Sequence, residues 1–259
     1  MSFLSIEKVS HTYFTKDSAT TAIENISLTV QDGEFVSLLG PSGCGKTTLL
    51  SIIAGLITPT EGSVTIENKQ IDRARSYIGY MLQQDYLFPW KTIEENVLVG
   101  LKITNHINEQ TKKNALHLLD KIGLKGVEKS YPSQLSGGMR QRAALVRTLA
   151  TNPKILLLDE PFSALDYQTK LKLEDLVSHT LKDYKKTAIL VTHDIGEAIA
   201  MSDRILLLSA NPGRIAKEFQ VPDELKRDTP FNARQHHKYS DLFQKIWKEL
   251  DQLETKQEH

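Results

Sequence analysis

Most of the usual signs of a secreted, membrane-spanning or nucleic-acid-binding chain are missing here. The 259 residues include one cysteine, Cys44, so no disulfide forms within the chain. That fits a reducing compartment. No apolar run approaches the roughly 20 residues that a membrane span needs. Residues 1–7 lack both the basic region and the long apolar region of a secretory signal, so no leader is expected there. Neither sign of charge is in excess. The 32 basic and 32 acidic residues cancel, which removes the electrostatic case for nucleic acid as a partner. Internal repeats and low-complexity segments are absent too. If such a chain works at a membrane, another subunit holds it there.

What is present centres on Gly40-Pro41-Ser42-Gly43-Cys44-Gly45-Lys46-Thr47-Thr48. An apolar run over residues 35–39 precedes it and reads as a buried strand. A second, over residues 49–54, reads as a helix. The stretch fits the phosphate-loop pattern in the strand–loop–helix context that the pattern requires. Glycines let the backbone wrap a polyphosphate without Cβ clashes. Amides at the helix start point at the anion. Lys46 is expected to reach the β- and γ-phosphates, and Thr47 to place its hydroxyl on Mg²⁺. A helix start beside Lys46 is also expected to lower the Cys44 pKa, so that thiol reagents block the site unless nucleotide protects it.

The rest of the chain alternates strands and helices. Residues 3–9 and 26–30 alternate apolar and polar side chains, as half-buried strands do. Residues 64–66 and 77–82 resume strand character. From residue 86 to about 135 the text is helical and charged, opened by the capping-box spacing of Thr92 and Glu95. This reads as a helical insertion in an α/β chain. Tyr86, Leu87, Phe88, Pro89 and Trp90 sit at its entry, either as a local core or as an exposed docking groove. Ser136-Gly137-Gly138 then precedes a helix expected over 141–151, a second helix start able to hold an anion.

Four aliphatic residues, 155–158, suit a central parallel strand covered on both faces. Asp159 and Glu160 close it, at the strand end where α/β sheets bind ligands. Two acids there are costly if buried unpaired, and Mg²⁺ with a water nucleophile would explain them. Asp166 caps a charged helix that ends near Tyr184. Residues 187–192 repeat the scheme and end at His193. Residues 204–209 form one more strand. The tail from Val221 ends with Leu242, Phe243, Ile246, Trp247, Leu250 and Leu253 at helical spacing, which favours an amphipathic helix packed on its own domain.

The order of phosphate loop, Gln83, Leu135-Ser136-Gly137-Gly138-Met139-Arg140-Gln141, residues 155–160, residues 163–166 and His193 resembles the ATP-binding subunit of an ABC transporter. The match runs from about residue 3 to 217. Trp90 after Pro89, with the turn at residues 209–215, resembles importers of the nitrate, sulfonate and taurine type. The resemblance implies an α/β P-loop NTPase core with a mixed sheet over 1–85 and 136–220. It also implies an amino-terminal antiparallel β subdomain, a helical subdomain over 86–135 with the partner-docking groove, and a helical tail over 221–259. ATP and Mg²⁺ are the implied cofactors.

The resemblance carries roles residue by residue. Tyr13 stacks on adenine, with Phe14 a rival. Residues 40–48 hold the phosphates. Thr47, Gln83 and, partly through water, Asp159 serve the metal. Glu160 is the general base, and His193 contacts the γ-phosphate. Gln83 contacts Mg²⁺ or the attacking water and reports on the membrane partner. Ser136, Gly137, Gly138 and Gln141 form a signature that acts on the other protomer's ATP, and Asp166 couples the two sites. Gln84 stands where the family often has an acid, and Val146 and Thr148 replace frequent alanines. The implied partners are a second copy in head-to-tail fashion, permease subunits and, indirectly, a solute-binding protein, at the cytoplasmic face of the membrane. Two other readings stay open: the ATPase of an exporter or lipid-extraction system, and a soluble ABC-type ATPase of DNA repair or translation.

Overall fold

The computed structural model describes residues 2–163 and 165–255. Two sheets organise it. The first is antiparallel and four-stranded, in the order β2-β1-β4-β5. Its members are β1 (Leu4–Phe14), β2 (Ala19–Val30), β4 (Glu61–Ile66) and β5 (Lys69–Gln70). The strands β1 and β2 run longer than their alternating patterns suggest. Their outer ends are exposed, and hydrogen-bond pairing rather than burial extends them.

The second sheet has the order β10-β9-β3-β8-β7-β6. It contains β3 (Phe35–Leu39), β6 (Ile78–Met81), β7 (Ile155–Asp159), β8 (Thr187–Thr192), β9 (Arg204–Ser209) and β10 (Arg214–Gln220). All neighbours are parallel except β9 and β10, so the sheet is mixed. Every residue of β3, β7 and β8 is buried. That accounts for their largely apolar runs, since a parallel strand covered on both faces has no solvent side to mark with polar residues; the buried Ser37 of β3 is met by the Ser202 hydroxyl.

Between β3 and β4 lies α1 (Lys46–Ile53), and α2 (Ile71–Ala74) follows β5. The segment between β6 and β7 holds α3 (Ile93–Val97), α4 (Val99–Ile103), α5 (Glu109–Lys121) and α6 (Gly137–Ala150). Thr92 and Glu95 form the reciprocal capping box that opens α3. The helix α6 begins at Gly137, four residues before the expected start. The Ser136 hydroxyl accepts from the Met139 amide and caps it. Two glycines at a helix start look unfavourable by propensity. Gly138 is nonetheless required by packing, because a Cβ there would meet Thr169 Cγ2 at 2.5 Å.

The remaining helices are α7 (Tyr167–Asp183), α8 (Ile195–Met201), α9 (Asp223–Lys226), α10 (Pro230–Ala233) and α11 (His237–Thr255). The tail packs on its own domain. Leu242 and Ile246 of α11 join a core with Ile195, Ala198 and Ile199 of α8. None of the described helices is long and apolar enough to cross a membrane.

Candidate active site

Strand register builds the site. Leu39 at the end of β3 pairs with Thr192 of β8, and Val191 pairs with Asp159 at the end of β7. The residues that follow these strands therefore emerge side by side, namely residues 40–48, Glu160 and His193. A cavity of about 440 Å³ forms there, lined by Ala22, residues 42–48, Glu160 and His193. A larger open cleft of about 1080 Å³ lies between β1, β2, β9 and β10. Its arginines are already paired, Arg214 with Glu24 and Arg204 with Glu34 and Glu218, and no catalytic set lines it.

The loop wraps tightly. Gly45 has φ 87° and a Cβ there would meet Ile23 Cγ2 at 2.4 Å, so only glycine fits. Gly45 precedes α1, whose amino end has no side-chain cap and no acid in its first turn. Its free amides face the cavity side of the sheet, which suits an anion. Lys46 is buried, and its Nζ donates to the carbonyls of Gly40 (2.7 Å) and Pro41 (2.9 Å). Tyr13 OH lies 3.2 Å from Thr48 Oγ1, and its ring is partly exposed, whereas Phe14 is free of the loop and more exposed.

The strand-end acids differ in setting. Asp159 Oδ1 accepts from Thr47 Oγ1 at 3.3 Å, and Oδ2 accepts from Tyr80 OH at 3.4 Å. Burial raises the Asp159 pKa above the usual carboxylate range. Burial, with the charge of Asp159 beside it, pushes the Tyr80 phenol up to about 12. Tyr80 was not foreseen from the sequence, where it is one more apolar strand residue. Glu160 has φ 44°, a left-handed backbone that is uncommon outside glycine and costs about 1–3 kcal/mol. Its amide donates to the Val191 carbonyl at 2.9 Å, one rung beyond the β7–β8 ladder. Its Oε2 lies 3.1 Å from Nδ1 of the exposed His193.

Gln83 is exposed, and its Nε2 donates to Ser163 Oγ at 3.2 Å. Its carbonyl accepts from Gln141 Nε2 at 3.0 Å. Arg147 of α6 donates to the carbonyls of Asp85 and Tyr86, and Arg140 Nε to Asp85 Oδ2 at 3.0 Å. The segment after Gln83 is thus strapped to α6 by two arginines, Arg140 of the signature and Arg147, to which the sequence alone assigns no role. Ser136, Gly137 and Gly138 lie at the start of α6 and are not among the residues lining the cavity. Asp166 caps α7, accepting from the Thr169 amide at 3.0 Å, and that contact lowers its pKa.

Cys44 reverses an expectation. It is buried with no exposed surface, and burial raises its thiol pKa despite Lys46 Nζ at 3.6 Å from Sγ. Desolvation of the thiolate outweighs the cation and the helix start. Less thiolate at neutral pH and no access follow. A disulfide reagent such as DTNB should therefore label the folded chain at least about tenfold more slowly than the unfolded chain. Equal rates would show that Cys44 is accessible.

The family model for the ABC transporter matches residues 23–163, more than half of the chain and all of it within the part just described. The chain belongs to the ABC transporter family. It binds ATP and is an ATPase, and its α/β fold is that of the P-loop cassettes. The uncharacterized ABC transporter ATP-binding protein YtlC of Bacillus subtilis is 63% identical over 99% of both chains. The aliphatic sulfonates import ATP-binding protein SsuB of Bacillus licheniformis is 41% identical over 91% of this chain and 89% of its own. Among solved structures, a dimeric ATP-binding cassette in a post-hydrolysis state bound to ADP and Pi superposes with TM-score 0.75. It is 34% identical and covers 85% of this ABC subunit and 99% of its own chain.

Proposed function

We propose that this ABC subunit hydrolyses ATP to energise a membrane importer of small anionic solutes, such as sulfonates, taurine or nitrate. The likeness to SsuB, 41% identical over 91% of the chain, carries the substrate class. Growth of a deletion strain on an alkanesulfonate or taurine as sole sulfur source, or nitrate as sole nitrogen source, tests it. Loss of growth on one of them is expected. Normal growth on all three overturns the substrate class and leaves the ATPase untouched.

Within the site, residues 40–48 cradle the phosphates and Lys46 neutralises the β- and γ-phosphoryl charge. Tyr13 stacks on adenine, a reading supported by its tie to Thr48 at the start of α1. Thr47 and Asp159, 3.3 Å apart at the sheet edge, fit a hard cation with oxygen ligands, and Gln83 completes that set. Bound Mg²⁺ would supply charge neutralisation on the phosphates. Glu160 takes the proton of the attacking water. His193, in contact with Glu160, meets the γ-phosphate and keeps the base in line.

The solved relative is dimeric, and a head-to-tail dimer of this chain explains Ser136, Gly137 and Gly138. They sit at a helix start outside the chain's own cavity and serve the other protomer's γ-phosphate. Asp166 couples the two sites. Closure of the dimer then completes the charge around the phosphoryl group and gates turnover.

Residues 86–135 act as the subdomain that meets the permease. Leu87 is buried and Phe88 half-buried, while Tyr86, Pro89 and Trp90 are exposed, with Trp90 71% so. Trp90 rests on Phe88 with ring centroids 5.5 Å apart. This exposure supports a docking role for Trp90 over a place in the core. In Trp90→Ala the isolated subunit should melt within the range of a surface change, about ±0.5 kcal/mol. Co-purification with the permease should weaken by about 2 kcal/mol or more, as for an interface aromatic. A large loss of melting temperature with assembly intact would reject the docking role.

A further inference from the structure

Between the tail and the nucleotide site runs a partly buried series of alternating charges, centred on the buried Glu174, that the proposed catalytic set does not use. Glu174 of α7 has no exposed side-chain surface. Among the described residues, its one cationic partner from outside its helix is Arg234, just after α10, at 2.6 Å from Oε2 and itself 15% exposed. The contact is an ion pair rather than an aligned hydrogen bond. One helical turn earlier Lys170 lies on the same face of α7. Its Nζ meets Asp194 Oδ2 at 2.6 Å and Glu197 Oε1 at 2.5 Å. Asp194 directly follows His193 and caps α8, accepting from the Glu197 amide at 3.1 Å. The Thr192 hydroxyl, one residue before His193, donates to Glu197 Oε2 and accepts from the Asp194 amide. Two ion pairs on neighbouring turns of α7, Arg234 with Glu174 and Lys170 with Asp194, thus link the tail and the His193 loop to that helix.

We propose that Arg234 makes the carboxyl-terminal segment a positioning element of the nucleotide site, holding Glu174 so that Lys170 stays committed to Asp194 and the His193 loop. The argument is one of partition. A buried charge must have a partner, and breaking a buried pair is far more harmful than never having had it. Without Arg234, the nearest cation to Glu174 is Lys170, four residues away on the same helix face. Lys170 then divides between Glu174 and the Asp194–Glu197 pair. The loop bearing His193 loses the charge that pins it. The tail itself stays docked. The Phe231 amide still donates to Asp175 Oδ1 at 2.9 Å, Lys182 Nζ to the Lys226 carbonyl at 2.9 Å, and Leu225 and Ala233 remain in the core.

The groups facing Glu174 set a direction with pH. Arg234 comes from the segment after α10, Lys170 from α7, Asp194 and Glu197 from the start of α8, and Tyr239 from α11. Burial pushes Glu174 up to about 7, against the pull of Arg234 and with Glu197 adding to the rise. Burial alone would lower Lys170, yet the carboxylates of Asp194 and Glu197 hold it above the usual lysine range. Since the folded pKa of Glu174 is raised, its neutral form favours the packed state. That contribution is complete below the ordinary glutamate range and is lost as pH rises through about 7. Arg234 therefore matters most on the alkaline side, where Glu174 is charged.

The inference rests on the reading of His193 as the γ-phosphate contact, and His193→Ala separates the two. The test is steady-state MgATP hydrolysis by the full chain at pH 6.0, 7.2 and 8.5, with thermal melting of each variant. In Arg234→Ala we expect kcat at pH 8.5 to fall about tenfold, the scale of a displaced catalytic group, with KM for ATP within about twofold. The deficit should shrink at pH 6.0, and Arg234→Lys should recover most of it. Glu174→Gln, which removes the buried charge without orphaning it, should flatten the pH dependence between 6.0 and 8.5. Arg234→Ala with unchanged kcat at pH 8.5, whatever its melting temperature, overturns the proposal and leaves the pair as a structural contact. If Arg234→Ala does not fold, a Glu174→Gln profile that superposes on the original one overturns it equally. Full activity in His193→Ala would instead defeat the reading of His193.

Discussion

Glu160→Gln should stop turnover while ATP still binds, with kcat reduced by about 10²–10⁴-fold, the range of a lost general base. The amide keeps the shape of the carboxyl and removes its basicity. The cradle of residues 42–48 is untouched, because Glu160 only borders the cavity they line. The strained backbone at Glu160, φ 44°, is held by the hydrogen bond from its amide to the Val191 carbonyl and does not depend on the carboxylate. The contact with His193 Nδ1 survives as a neutral hydrogen bond. Folding and nucleotide affinity should therefore be close to those of the parent chain. With MgATP the variant should accumulate as an ATP-filled dimer, visible as a shift in size-exclusion elution that the parent shows only transiently. Single-turnover and steady-state assays measure the loss. A normal rate in Glu160→Gln would remove Glu160 from the role of base.

Lys46→Ala acts one step earlier. The proposed charge-assisted contact of Lys46 with the β- and γ-phosphates would be removed, worth about 1.5–3 kcal/mol, so the Kd for ATP should rise roughly ten- to hundredfold. The lysine also has a second task. Its Nζ holds the carbonyls of Gly40 and Pro41 from inside the loop, so the variant frees two acceptors near a buried strand end. A modest drop in melting temperature should accompany the loss of affinity. Titration with a fluorescent ATP analogue separates the effects, since affinity is read on the folded fraction. Unchanged affinity would place the nucleotide elsewhere.

The parts of this site that were legible in the sequence are those where one residue type has one reason to be there. The glycines at 43 and 45 precede a lysine and two threonines because a tight left-handed turn must open a helix on an anion. Asp159 and Glu160 stand out because four aliphatic residues in front of them define a buried strand. Other features depend on what comes near from far along the chain. Cys44 reads as activated from its loop, and only the enclosure of that loop by Ala22, Ile23 and Gly213 shows that burial wins. The two glycines of α6 read as a turn because the contact of Gly138 with Thr169 is invisible until α6 and α7 are packed. Lys170, Glu174 and Arg234 look like the charges of a solvated helix and tail. They lie 64 residues apart at the extremes (234 minus 170), and only the fold reveals that they bury one another.

The level register of β3, β7 and β8 has a consequence for how such a molecule can change. Leu39 pairs with Thr192 and Asp159 with Val191, so the three strands finish within one residue of one another. A deletion of one residue within any of the three would turn every later side chain to the opposite face of the sheet. Glu160 or His193 would then point away from the phosphate loop, and no neighbouring residue could take its place. The chemistry consequently tolerates no gradual drift in strand length. Length is freer to vary between β6 and β7, where the chain leaves the ladder and returns, and after β10, where it leaves the ladder for good. New partners can be acquired in those two places while the reaction stays fixed, so the address of the machine and its engine can diverge at separate rates.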